Sequence, residues 1–184
     1  MKIALSGPGR CGKDVAAEWL GAHTSLRYRA GTSLLAAPMV YEYFAQTGTL
    51  YRDVQACWLD RHNWRELWAS IIADYNRHDP AKLYRDCLAD QDILTGVRWR
   101  REMMAVNAAG LVDLWIWIDR PDAPHDKTME FKASECDLIV PNHGDLAGYL
   151  GRWRRLARSW GVLKNGNTFA DLADKFEGLE CTEH

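Results

Sequence analysis

The chain has 184 residues, 47% of them hydrophobic and 26% charged, with a formal net charge of −2. That length suits one domain with a sizeable core, the composition excludes a disordered or fibrous chain, and the near-neutral charge excludes a dedicated polyanion-binding protein. No apolar run is long enough to span a bilayer and the N-terminus lacks a signal-peptide pattern, so the sequence predicts no membrane partner and a cytoplasmic location.

Lys2 to Ser6 is a short apolar run that reads as a buried strand, and residues 13–20 place Val15, Ala16, Trp19 and Leu20 on one helical face. Between them lie Gly7, Pro8, Gly9, Arg10, Cys11 and Gly12, followed by Lys13 and Asp14. This is a phosphate-binding loop with one change, since Asp14 stands where such loops usually carry Ser or Thr. A strand, a glycine-rich turn and a helix in that order turn successive backbone N–H groups and the positive helix end toward a polyphosphate. Gly7 and Gly12 allow close approach and positive φ, and Lys13 would reach the terminal phosphate oxygens as a mobile point charge. The pattern therefore predicts ATP binding through residues 7 to 14. A carboxylate beside a triphosphate needs a cation between them, so Asp14 is the expected Mg²⁺ ligand, directly or through water. The plainer reading of Asp14 is an acidic residue favoured by the helix dipole.

Ser25 to Ala30 is a candidate second strand, followed by an apolar helix from about Pro38, in its first turn, to Gln46, closed by Gly48. Residues 51–90 read as a helical insertion in which Asp60 caps a long segment, and Asp79-Pro80 starts a further helix. Residues 92–97 form a third strand, 98–108 a helix, 112–118 the most apolar strand, 120–136 a polar segment with Pro121 and Pro124 that reads as a lid, and 137–140 a fifth strand. Asp145 caps a final helix, and 161–184 reads as a tail to a domain of residues 1–160. The predicted fold is α/β, a five-stranded parallel sheet with helices on both faces and right-handed crossovers. Ligands of such sheets sit beyond the strand carboxyl ends, where the glycine loop, Arg98, Arg120 and Asn142 all follow strands. Five cysteines, odd in number and without a C-x-x-C pair, suggest neither a disulfide framework nor a zinc site. Cys11 reads as a small tolerated side chain or as an oxidation-sensitive thiol.

Three segments together resemble the P-loop nucleotide kinases, and among them the bacteriophage deoxynucleoside monophosphate kinases. They are Ser6-Gly7 through Gly12-Lys13-Asp14, Thr95-Gly96-Val97-Arg98 with Glu102 one turn later, and Asp137 to Asn142 followed by His143-Gly144. The resemblance implies a three-layer P-loop kinase fold and transfer of the γ-phosphoryl group of ATP, with Mg²⁺, to a small-molecule deoxynucleotide. It also implies that Arg98 and Glu102 meet the acceptor, that Arg120 closes over the nucleotide, that Asn142 borders the adenine, and that Arg61 and Arg65 in the insertion cover the acceptor. The plainer reading of Arg98 and Glu102 is a surface i,i+4 pair, and of Arg61 and Arg65 a solvated helix face. The chain departs from the family at Gly96, where an Asp is usual, so Asp14 or Asp92 would have to supply that carboxylate. The expected assembly is a monomer or homodimer, in the host cytoplasm if the chain is phage-encoded.

A related phage family phosphorylates 5-hydroxymethyluracil within DNA, and two clusters keep that alternative open: Arg98-Trp99-Arg100-Arg101 and Arg152-Trp153-Arg154-Arg155 with Arg158 and Trp160. Basic residues interleaved with aromatics can grip a backbone and stack a base. Projection on the last helix places Leu146, Tyr149, Leu150, Trp153, Leu156, Ala157 and Trp160 on one face and the arginines on the other, which reads instead as core and solvated surface. A nucleotide-dependent switch or bare ATPase is a third reading, and the helical insertion argues against it.

Overall fold

The computed structural model describes residues 1–48 and 51–164. Four short apolar runs form strands β1 (Ile3–Ser6), β2 (Ile93–Thr95), β3 (Leu114–Asp119) and β4 (Leu138–Pro141), all parallel in the order β2-β1-β3-β4. The helices are α1 (Lys13–His23), α2 (Thr32–Thr47), α3 (Val54–Leu59), α4 (Arg65–Tyr75), α5 (Lys82–Cys87), α6 (Arg100–Ala108) and α7 (Leu146–Ser159). No helix among the described residues is long and apolar enough to cross a membrane.

The near-continuous apolar strands suit a sheet covered on both faces. Side-chain alternation sends Ile3, Leu5, Ile93, Ile116 and Ile118 to one core with α1 and α7, and Ala4, Leu94, Trp115 and Trp117 to a second with α2 to α6. Trp153 and Tyr149 fill the first core, and Trp68, Tyr84 and Phe131 the second. The chain leaves β1 for β2 on one side and then passes to β3 on the other, so strand order reverses at β1. Such a reversal opens a crevice beyond the strand carboxyl ends. Residues 7–12 leave β1 there, and Arg120 leaves β3 there.

The candidate second strand at residues 25–30 does not form, so the sheet has four strands and not five. Its main chain is held by other partners: Arg27 N donates to Asp92 Oδ2 at 2.8 Å, Arg29 N and Ala30 N to the Gln91 side chain at 3.1 and 3.2 Å, and Ser25 N to Val162 O at 2.8 Å. A carboxylate and a side-chain amide thus take the donors that a strand ladder would have used. Pro38 lies inside α2, not in its first turn, because the helix begins six residues earlier at Thr32. Asp53, not Asp60, caps a helix in the insertion, accepting from Ala56 N at 2.7 Å. Asp60 instead collects Tyr51 Oη, Asn63 Nδ2 and Trp64 Nε1 at 2.5, 2.6 and 2.9 Å. Asp79 opens a turn, accepting from Ala81 N at 2.9 Å, and α5 starts only after it. Asp145 caps α7 through Gly148 N at 2.8 Å, and Gly48 ends α2 in the left-handed conformation at φ 87°. Of the expected tail at 161–184, the first residues pack back on the domain, Val162 O accepting from Ser25 N at 2.8 Å and Lys164 N donating to His23 O at 3.0 Å, and residues 165–184 lie outside the described residues.

Residues 120–132 are irregular, and their two halves differ. Phe131 is buried and meets the rings of Trp115 and Trp117 edge-on at 5.9 and 6.3 Å, and Glu130 N donates to Arg98 O at 3.0 Å. The second half is therefore part of the core. The first half, from Pro121 to Thr128, is mostly exposed.

Candidate functional site

The loop between β1 and α1 turns on residues in the left-handed region, Arg10 at φ 62° and Gly12 at φ 99°. Gly12 is the N-cap of α1 and brings no side chain to the first turn, so the helix's leading N–H groups carry no side-chain cap. A Cβ there would stand 2.5 Å from Asn142 Nδ2, so the close approach of Asn142 also requires glycine. Asn142 Nδ2 donates to Cys11 O at 2.8 Å and Tyr149 Oη to Gly12 O at 3.0 Å, bracing the back of the loop. Lys13 lies over the loop, its Nζ 2.9 Å from Gly7 O and 2.6 Å from Pro8 O. Cys11 is fully buried, and burial pushes its thiol up against the opposing pull of Lys13, which argues against a reactive thiolate.

Two further cations reach the same edge. Arg120 Nη1 donates to Arg10 O at 3.3 Å. Arg98, just past β2, bonds the Asp126 carboxylate through Nη1, which is also 2.8 Å from Thr128 Oγ1. Asp126 Oδ2 in turn accepts from Gly9 N at 2.9 Å. Burial raises the Asp126 carboxyl, but bonds from Thr128 and Arg98 and the Arg98 charge prevail and hold it well below the ordinary carboxylate range.

Beside the first turn of α1 is a cavity of about 510 Å³ lined by Asp14, Glu18, Tyr28, Arg29, Trp58 and Arg61. That is within the size range of small-molecule sites. Asp14 is exposed, and its carboxylate makes no hydrogen bond or ion pair among the described residues, so it is available. Glu18 is pushed up by burial and then by Asp14. The Arg61 guanidinium lies 4.0 Å above the Trp58 ring, and its pKa is lowered mainly by desolvation, with Asp14 opposing. Trp58 Nε1 is fixed by Ser33 Oγ at 3.2 Å. His62 is pushed down by burial and then by Arg61, Arg65 and Arg10, the mark of a cationic rim.

The structure thus gathers Lys13, Arg98, Arg120 and Asn142 at the strand ends, with Asp14 and Arg61 at the adjoining cavity. Arg65 stays exposed, near His62 Nδ1 at 3.4 Å, and does not line that cavity. Glu102 is held away from Arg98: it is 2% exposed and accepts from Tyr84 Oη and, at 3.3 Å, from Asn76 Nδ2. Asp92 sits at the opposite end of β2, paired with Arg27 at 3.0 Å, and cannot replace a carboxylate at Gly96. Position 96 has no room for one: at φ 96° its Cβ would lie 2.8 Å from Thr32 Oγ1, which donates to Thr95 O. Asp126, Thr128, Tyr149, Arg29 and Trp58 are the site residues that sequence reasoning missed. Asp126 lies in the polar segment between prolines, where no periodicity marks a side chain that turns inward.

No family model matches the chain, and no curated protein sequence matches it.

Proposed function

We propose that the protein is an ATP-dependent phosphotransferase of the P-loop kinase type that phosphorylates a deoxynucleoside monophosphate. The observation that carries this reading is the juxtaposition of the Gly7–Asp14 loop with the cavity that shares Asp14. A donor polyphosphate would lie on the loop N–H groups and α1, with Lys13 moving from loop carbonyls to phosphate oxygens. No group of three His, Cys, Asp or Glu side chains among the described residues could hold a metal. Asp14 would hold a Mg²⁺ ion carried in with the polyphosphate, as a single carboxylate suffices for an ion whose remaining ligands would be phosphate oxygens and water. Bound there, Mg²⁺ would offset charge on the phosphate oxygens. Arg29 and Arg61 would receive the acceptor phosphate, itself a nucleophile at neutral pH, and Trp58 would support its base. An acceptor oxygen bonds the γ-phosphorus, the bridge to the β-phosphate breaks, and ADP departs. Arg98 and Arg120 would stabilise charge on the group in transit, with residues 120–128 as the lid.

The DNA-directed alternative has one observation in its favour, the Asp14 and Glu18 carboxylates in the cavity, which would suit a hydroxyl acceptor needing a base. Trp153 of α7 and Trp160 at its C-cap do not support it, because Trp153 is fully buried and Trp160 packs on the same core. Labelled ATP with Mg²⁺, offered with deoxynucleoside monophosphates and in parallel with DNA containing 5-hydroxymethyluracil, separates the readings. Label in a diphosphate supports the proposal, label in DNA supports the alternative, and free phosphate alone contradicts both.

A further inference from the structure

Asp126 lies in a stretch where His125, Lys127 and Thr128 are exposed, yet its own side chain is only 8% exposed. One of its carboxylate oxygens takes both the Gly9 N–H, at 2.9 Å, and the Arg98 guanidinium. The other takes Thr128 Oγ1 and Thr128 N, at 2.6 and 3.1 Å. A loop N–H and an arginine converging on one anionic oxygen is the arrangement that a phosphate oxygen would require. Two anions cannot share it. The chain also allows the carboxylate to leave without unfolding: Phe131 and Glu130 anchor the segment downstream, whereas Pro121 to Thr128 are mostly exposed, with Ala123 packed partly on the core.

We propose that the Asp126 carboxylate is an internal occupant of the loop's anion position, displaced by the incoming polyphosphate, and that Arg98 passes from it to the phosphate oxygens. This rests on the phosphate-loop reading above. Binding of donor is then coupled to release of residues 121–128 and to delivery of Arg98, so the cation needed for transfer is freed only when there is phosphate to receive it. The cost is affinity, because the free protein must first give up the Asp126 contacts.

Calorimetric titration of the full chain with inorganic pyrophosphate tests this on wild type, Asp126→Asn and the charge-matched control Asp122→Asn, whose residue is exposed. The expected result is binding about tenfold tighter for Asp126→Asn than for Asp122→Asn. Equal or weaker binding overturns the proposal and leaves the loop reading intact. No binding by any of the three folded proteins overturns both. A measurement on wild type alone covers the case in which Asp126→Asn does not fold: amide hydrogen exchange at Thr128, whose N–H bonds Asp126, should accelerate when pyrophosphate binds. Unchanged or slower exchange overturns the displacement.

Discussion

At Gly12 a single methyl group probes the whole loop. Gly12→Ala sets a side chain at φ 99° and 2.5 Å from Asn142 Nδ2, so both the backbone and the brace must shift. The expected cost is about 1–3 kcal/mol in denaturant unfolding, with weaker polyphosphate binding in the folded fraction. Glu102 makes the opposite case, a residue that matters without touching ligand. Glu102→Ala strands the Tyr84 hydroxyl and the Asn76 amide in the core and should destabilise by about 2–4 kcal/mol, with the acceptor KM unchanged. A rise in KM would instead give Glu102 a substrate role. Its pH signature has a definite sign. Burial raises the folded pKa of Glu102 despite bonds from Tyr84 and Asn76. The stability that goes with its protonation is therefore complete below its unfolded value, about 4.3, and is lost as pH rises through the folded pKa. Asp126 has the reverse dependence: its pKa is depressed, so its contribution is present above about 3.9 and is lost as pH falls. Unfolding curves for Glu102→Gln and Asp126→Asn across the acid range should each lose one of these opposed slopes.

Among the elements, α7 separates packing from nucleic-acid contact most cleanly. Its buried face carries Tyr149, Leu150, Trp153 and Ala157, while Arg155 and Arg158 are exposed. Trp153→Ala should cost about 3–5 kcal/mol, and Arg155→Ala with Arg158→Ala should leave stability within about 0.5 kcal/mol each and nucleotide turnover unchanged. Loss of turnover in the double arginine variant would bring the DNA-directed reading forward. The helical period alone makes this face legible, except at Leu146, which is 45% exposed at the first turn. Strands β1 to β4 were legible for a similar reason, being apolar runs between turn residues. The segment at 25–30 was not, because its donors go to Asp92 and Gln91, partners more than sixty residues away that no local pattern reports. The insertion was misread for a different reason: Asp60 and Asp79 read as helix caps, yet Asp60 is taken by the Tyr51, Asn63 and Trp64 side chains and Asp79 by a turn, while the cap falls to Asp53, which no sequence pattern singled out.

Across the whole molecule, sheet order does most of the work of assembling the site. Because β1 lies between β2 and β3, the residues that follow those three strands reach one crevice; the sequence nominated the glycine loop, Arg98, Arg120 and Asn142 without that order, because each follows a strand of a parallel sheet. What it did not nominate are the residues that turn toward the crevice from irregular chain, Asp126 and Thr128, or from helices assigned to the core, such as Tyr149. The central claim is that residues 7–14 receive a nucleoside polyphosphate. Titration calorimetry with ATP and Mg²⁺, on wild type and Lys13→Ala, tests it most directly. The account predicts saturable binding of one nucleotide per chain, weakened about 10- to 100-fold by Lys13→Ala. Absence of saturable heat with ATP, ADP and GTP in a folded sample would contradict it.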